Sequence, residues 1–258
     1  MKTIVCAIQK GGQGKSMLST HLAFLAAEQG RVVVAVDLDG QGTLTRNLYE
    51  GEIDRDASPT LSLFVGAVRQ PTTLELPFRV KGSVRVMTGD RRLVQVDETP
   101  KIGVGALRDR LAQCAAGADL VVLDPPPTLG KRLRAALIAA DFVVMPFVPA
   151  RESVDGLGDL MDTIEEVKRE QNPGLQVIGL LANKVNSRSS FDRQILDDLQ
   201  VAAPEMLMPM MIHERTSVSA AMATSRPVWH GANGASRQLA GAEVRKACAH
   251  ILQTVFKR

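Results

Sequence analysis

Short continuous apolar runs alternate along the chain with longer stretches whose apolar positions recur every three or four residues. The runs at 3–8, 32–36, 120–123, 142–147 and 177–181 are rich in Val, Ile and Leu and bounded by turn residues. That pattern predicts strands buried on both faces. Helical patterns occupy 16–28, 102–115, 129–139, 154–170 and 190–199, and a last one at 236–256 closes the chain. Strand alternating with helix predicts an α/β fold, a mostly parallel twisted sheet flanked by helices on both faces. In such sheets ligands sit beyond the carboxyl ends of the strands. Residues 50–101 are less regular, with Pro59, Pro71 and Pro77 and a basic, hairpin-like piece around 84–92. They read as an insertion elaborating the same domain. With no internal repeat, low-complexity tract or long linker, residues 1–258 are expected to form one domain.

Composition narrows the class. Aromatic residues make up only 3% of the chain, so aliphatic side chains and Met must fill the core. No apolar stretch approaches the 18 or so residues of a membrane span, and the amino terminus has no secretory cleavage pattern. Cys6, Cys114 and Cys248 are too widely spaced for a disulfide framework or a CxxC metal pair. They are expected to be buried thiols of a cytoplasmic protein. The net charge is +3, but from residue 201 onward seven basic residues face three acidic ones. A basic carboxy-terminal quarter can meet a phosphate backbone, or it can simply be a solvated face.

The stretch Gln9-Lys10-Gly11-Gly12-Gln13-Gly14-Lys15-Ser16 carries the chemistry. It follows the first predicted strand and opens the first predicted helix, which is the setting of a P-loop. Backbone N–H groups at such a helix start can face a polyphosphate with no side chain between, and glycines permit that approach. Lys15 would reach the β- and γ-phosphates, and the Ser16 hydroxyl would ligate Mg²⁺.

The loop departs from the ordinary GxxxxGK[ST] form, because Gln9 stands at the first glycine and Lys10 precedes the glycine pair. K-G-G-x-G-K-[ST] resembles the deviant Walker A motif of the ParA/MinD ATPases, which are P-loop NTPases. That resemblance implies ATP and Mg²⁺ as ligands, nucleotide binding by residues 11–17 (Gly11, Gly12, Gln13, Gly14, Lys15, Ser16, Met17), and a homodimer on ATP binding. It also implies that Lys10 reaches the partner subunit's phosphates. Asp37-Leu38-Asp39-Gly40-Gln41-Gly42-Thr43-Leu44-Thr45 resembles the family's D-x-D-P-Q-G-N-L-T segment. Asp39 matches the carboxylate that positions the attacking water near Mg²⁺, itself contacting the metal through water. Residues 119–128 resemble the Walker B strand, with Asp124 holding Mg²⁺ through a water; alone, it would also suit a strand-end turn before proline. Asn183 falls where the family reads adenine, although Asn at a strand end is also a common turn residue. Met17 stands in place of a second hydroxyl residue, and Gly40 in place of proline. The resemblance covers nearly the whole chain.

The family uses this machine for several tasks. No cysteine pair suits an Fe–S cluster, Tyr49 is the sole tyrosine, and the amphipathic carboxy terminus reads more easily as a packed helix than as a membrane anchor. A membrane partner is therefore not expected. The resemblance is greatest to short ParA forms with no helix-turn-helix region ahead of the P-loop. It implies a DNA-segregation ATPase, nucleoid-associated when bound to ATP, that holds DNA nonspecifically and is stimulated by a ParB-type centromere-binding partner. Arg215, Arg226 and Arg237 are the candidate DNA contacts. A MinD-like or conjugation-accessory, cargo-positioning ATPase shares every motif, and a nucleotide-gated binding module with negligible turnover is a third reading.

Overall fold

The computed structural model describes residues 1–49, 51, 54, 56, 57, 59–230 and 234–257, so Glu50, the predicted start of the irregular segment, and Arg258 lie outside it. The strands are β1 (Lys2–Cys6), β2 (Val32–Asp37), β3 (Thr72–Thr73), β4 (Ser83–Met87), β5 (Leu120–Asp124), β6 (Phe142–Phe147), β7 (Gln176–Val185) and β8 (Leu207–His213). The helices are α1 (Lys15–Glu28), α2 (Thr43–Leu48), α3 (Val94–Glu98), α4 (Leu107–Cys114), α5 (Lys131–Ala139), α6 (Arg151–Glu170), α7 (Ser190–Ala202), α8 (Thr216–Met222) and α9 (Ala235–Phe256). The strands form one sheet in the order β3-β4-β2-β5-β1-β6-β7-β8. Every pairing is parallel except β3 with β4. The chain runs to one side of β1 for β2–β5 and to the other for β6–β8, so the carboxyl end of β1 opens at a topological switch point.

Alternation along the central strands divides the core into two layers. Val5, Val34, Val121 and Val143 pack with Leu111 of α4, Leu133 and Leu137 of α5, and Leu160 and Ile164 of α6. Their neighbours Ile4, Val33, Val122 and Val144 pack with Leu18, Leu22 and Leu25 of α1 and with Val244, Ile251 and Val255 of α9. Every α1 residue from Leu18 to Ala27 is buried. The helix that carries the glycine-rich loop is thus enclosed all round and cannot shift as a surface helix could. All three cysteines are buried, and burial pushes the thiols of Cys6 and Cys114 up to about 12 and about 11.

The structure departs from the expected pattern where local signals conflict. Pro209 interrupts the run Leu207–His213, which nevertheless forms β8; as an edge strand it tolerates a missing N–H. Pro146 sits in an interior strand. Val144 accepts from the Ala7 N–H, and Pro146 faces the same side two residues on, where β1 has already ended at Cys6. The piece around 84–92 is not itself a hairpin. Val84–Met87 belong to β4, paired in parallel with β2, and Asp90 then caps a short 3₁₀ turn. The irregular segment therefore contributes an integral strand. β7 runs four residues beyond the predicted Leu181 and carries an irregularity at Gly179 (φ +140°), where a Cβ would lie 2.5 Å from the Met206 carbonyl oxygen.

Candidate functional site

Beyond β1 the chain makes its glycine turn and enters α1 through Gly14, which is left-handed at φ +96°. Two successive carbonyls of this turn are held from the end of β7. The Lys184 Nζ donates to the Gly12 carbonyl at 2.8 Å, and the Asn183 Nδ2 to the Gln13 carbonyl at 2.7 Å. A trans peptide points its N–H opposite to its C=O, so the N–H groups of Gln13 and Gly14 are turned away from β7. Gln13 anchors the other side, its buried Oε1 accepting from the Val148 N–H at 2.6 Å and the Ser153 hydroxyl at 3.2 Å. These contacts fix the glycine turn in an arrangement that suits an anion.

Inside the first turn of α1 a polar cluster is buried against the ends of β5 and β2. The Lys15 ammonium lies 3.2 Å from Asp124 Oδ1, the Ser16 hydroxyl donates to Asp124 Oδ2 at 2.6 Å, and the Ser19 hydroxyl donates to Asp124 Oδ1 at 3.1 Å. Asp124 is fully buried. Beside it, in register across β2 and β5, Asp37 accepts from the Thr45 N–H and hydroxyl, both at 2.8 Å. Burial first, and then the Asp124 charge, push the Asp37 carboxyl up to about 7. Among the described residues no three or more His, Cys, Asp and Glu gather into a metal cluster. The oxygen donors present, the Ser16 hydroxyl with the Asp124 and Asp39 carboxylates, are of the hard type that suits Mg²⁺ completed by phosphate and water.

A cavity of about 690 Å³ opens above this cluster, lined by Lys10, all of residues 11–17, Asp39, Asn183 and the start of α8. Met17 presents a thioether to it. Asp39 is half-buried, and its Oδ1 accepts from the Gln41 N–H at 2.9 Å. Lys10 is exposed at the rim. Asn183 is 2% exposed, and its amide N–H grips the loop. The structure thus brings Lys10, Asp39, Asn183 and residues 11–17 to one cavity, with Asp124 directly beneath.

The three arginines do not form one group. Arg215 lines the same cavity and is tied to Glu243 of α9 at 3.0 Å, an acid that also accepts from the His213 N–H and ring. Arg226 is exposed after α8, and Arg237 in the first turn of α9 donates to the His230 carbonyl at 3.4 Å. Sequence reasoning missed Ser19, Thr45, Lys184 and Glu243. Ser19 had a readable signal, since it lies one helical turn after Lys15 on the same face.

Comparison with known proteins places this geometry. The profile described as the CobQ/CobB/MinD/ParA nucleotide binding domain matches residues 4–228. Protein IncC of Escherichia coli is 33% identical over 256 residues, 97% of this chain and 69% of its own length. The chromosome-partitioning ATPase Soj of Thermus thermophilus is 31% identical over 205 residues, 76% of this chain and 74% of its own. Among solved structures, cobyrinic acid a,c-diamide synthase of Mycobacterium smegmatis with a bound ATP analogue and magnesium superposes with a TM-score of 0.78 at 26% identity, covering all of this chain and 96% of that one.

Proposed function

The chain belongs to the CobQ/CobB/MinD/ParA nucleotide-binding family, and we propose that it is a ParA-type partition ATPase whose MgATP-bound dimer holds DNA nonspecifically. The observation that carries this reading is the loop Lys10–Ser16 at the mouth of the 690 Å³ cavity, with Lys15 and Ser16 already gathered on Asp124. Partition relatives such as Soj support the task as well as the chemistry.

Each residue has a part that its position suits. The backbone of residues 11–16 receives the phosphates, and Lys15 transfers its charge from Asp124 to them. Ser16 and, through a water, Asp124 would hold Mg²⁺, which when bound neutralises phosphate charge. Asp39 orients the attacking water, and little more is required of the protein for phosphoryl transfer than positioning and charge. Lys10, exposed at the rim, is placed to extend from one protomer to the phosphates of its partner, as an arginine finger does. Asn183 and Met17 border the nucleotide. DNA would meet basic residues of the carboxy-terminal quarter, of which Arg226 is exposed and available; Arg215, paired inside the cavity, suits a nucleotide-linked part better. A ParB-type protein would stimulate turnover.

The test is binding to nonspecific duplex DNA without nucleotide, with ADP and with ATP, at two salt concentrations, while dimerisation is followed in parallel. Salt-sensitive binding that requires ATP and tracks the dimer is expected. An ATP-dependent dimer indifferent to DNA would refute the partition reading in favour of a protein-cargo ATPase.

A further inference from the structure

Asp39 lies two residues past the end of β2, its N–H donating to Asp37 Oδ1 at 3.2 Å. Leu38, the residue just before it, is also fixed from two sides. The Leu38 N–H donates to the Asp124 carbonyl at 3.0 Å, extending the β2–β5 ladder one residue beyond the strand. The Leu38 carbonyl accepts from the Arg132 Nη1 at 3.1 Å. Arg132 reaches it from the first turn of α5, across 94 residues of sequence, and is only 7% exposed.

The arginine is itself locked. Its Nε donates to Asp97 Oδ2 at 2.7 Å, and its backbone N–H donates to Asp97 Oδ1 at 3.1 Å. Asp97, on α3, thus caps the amino terminus of α5 and orients the guanidinium in one grip. Gly130 is fitted to this arrangement: a Cβ there would lie 2.7 Å from Asp97 Oδ1. From the other side the loop after Asp39 rests on residues 89–91. A Cβ on Gly89 would fall 2.5 Å from the Asp39 carbonyl oxygen, and one on Gly40 would fall 3.4 Å from the Asp90 carbonyl oxygen. Burying an arginine for stability alone is a poor use of it, since desolvation offsets much of the attraction to its partner. Here the buried charge ends on the backbone of the residue that precedes the water-positioning carboxylate.

We infer that Arg132, locked by Asp97, is a positioning residue for hydrolysis, holding the Leu38–Asp39 peptide so that the Asp39 carboxylate stays aimed into the nucleotide cavity. Arg132 lies in the first turn of the helix that follows Asp124 and the segment 125–130, so the same strut ties Asp39 to the segment leaving the metal-binding strand. The inference rests on the ATPase reading above. Displacement of a positioning group by about 1 Å costs catalysis up to a hundredfold.

The experiment measures kcat for ATP and, separately, the Kd for an ATP analogue, in wild type, Arg132→Met, Arg132→Lys, Asp97→Asn, Asp39→Ala and Asp39→Ala/Arg132→Met. Arg132→Met is expected to lower kcat at least tenfold with Kd within threefold of wild type. Arg132→Lys should recover part of the loss, and Asp97→Asn should fall between. The double variant should turn over no more slowly than Asp39→Ala alone, because the arginine acts through Asp39. Additive loss in the double variant, or a Kd that weakens as much as kcat falls, would overturn the inference. If Arg132→Met does not fold, wild-type kcat in both Arg132→Lys and Asp97→Asn overturns it equally, and a lowered kcat at unchanged Kd in either supports it. Absence of turnover in wild type would strike the ATPase reading, whereas wild-type turnover in Arg132→Met would strike only the strut.

Discussion

His21 offers a perturbation whose size follows from the structure. It lies in the middle of α1, completely buried, with Nδ1 2.8 Å from the Met17 carbonyl and Nε2 accepting from the Val228 N–H at 3.1 Å. The ring is therefore neutral, with its proton on Nδ1, and it links the phosphate-loop helix to the segment after α8. Burial pulls its pKa down from 6.5 to about 4, against a smaller opposing effect of the Met17 hydrogen bond. The folded pKa lies below the unfolded one, so acid protonates the unfolded chain first. Stability from this group is intact above pH 6.5, is lost as pH falls from 6.5 towards 4, and falls no further below that. Between pH 7.5 and pH 5 the loss is about 2 kcal/mol by linkage. Asp37 works in the opposite sense: its folded pKa is raised to about 7, so it contributes stability at pH 5 that disappears as pH rises through 7. The total pH dependence consequently conceals His21, and the difference between wild type and His21→Gln isolates it. Urea unfolding of both proteins at pH 7.5 and pH 5 is the assay. The advantage of wild type over His21→Gln should shrink by about 2 kcal/mol on acidification. A difference that stays constant would refute the buried neutral histidine.

Other consequences concern the site. Gly14→Ala forces a side chain into left-handed backbone and brings a Cβ to 2.0 Å from the Asn183 Nδ2. Strain and the lost Asn183–Gln13 bond together should weaken nucleotide binding by about 2 kcal/mol, roughly thirtyfold, and titration with a fluorescent ATP analogue would detect it. An unchanged Kd would contradict the carbonyl clamp. Lys10→Ala should leave nucleotide binding by the monomer within a few-fold of wild type while reducing ATP-dependent dimerisation or turnover at least tenfold. Sedimentation with and without ATP, alongside phosphate release, checks this, and wild-type behaviour would remove Lys10 from any action across the dimer. Ser19→Ala removes one of the three groups on Asp124 Oδ1 and Oδ2 and leaves a buried carboxylate short of a donor, costing about 1–3 kcal/mol of stability. A thermal melt unchanged from wild type would count against that cluster.

The parts legible in the sequence were those with local chemistry. The glycine turn, Lys15, Asp39 and Asp124 each follow a run of branched apolar residues, so their place at the carboxyl ends of β1, β2 and β5 could be inferred from short windows. β8 could not, because Pro209 argues against a strand unless one knows that it lies at the sheet edge. α2 is only six residues long and starts from the left-handed Gly42, so it shows no periodicity to detect. Arg132 and Asp97 lie 35 residues apart on two helices, and Arg215 and Glu243 lie 28 apart. Nothing in composition or spacing pairs such residues; the packing of α3 on α5 and of α9 on β8 does. For the same reason Arg215 looked like a surface cation in the sequence, whereas the fold turns it into the cavity beside an acid.

On this reading the loop at residues 10–16 and its carboxylates form an ATP-hydrolysing site. The most direct test is steady-state phosphate release from ATP by wild type, Lys15→Ala and Asp39→Ala, each with Mg²⁺ and with a chelator, together with the affinity of each for an ATP analogue. Wild type should bind tightly and release phosphate slowly and only with Mg²⁺. Asp39→Ala should bind comparably yet turn over at least tenfold more slowly, and Lys15→Ala should lose binding altogether. Turnover that survives Lys15→Ala, or nucleotide affinity indifferent to it, would contradict the account.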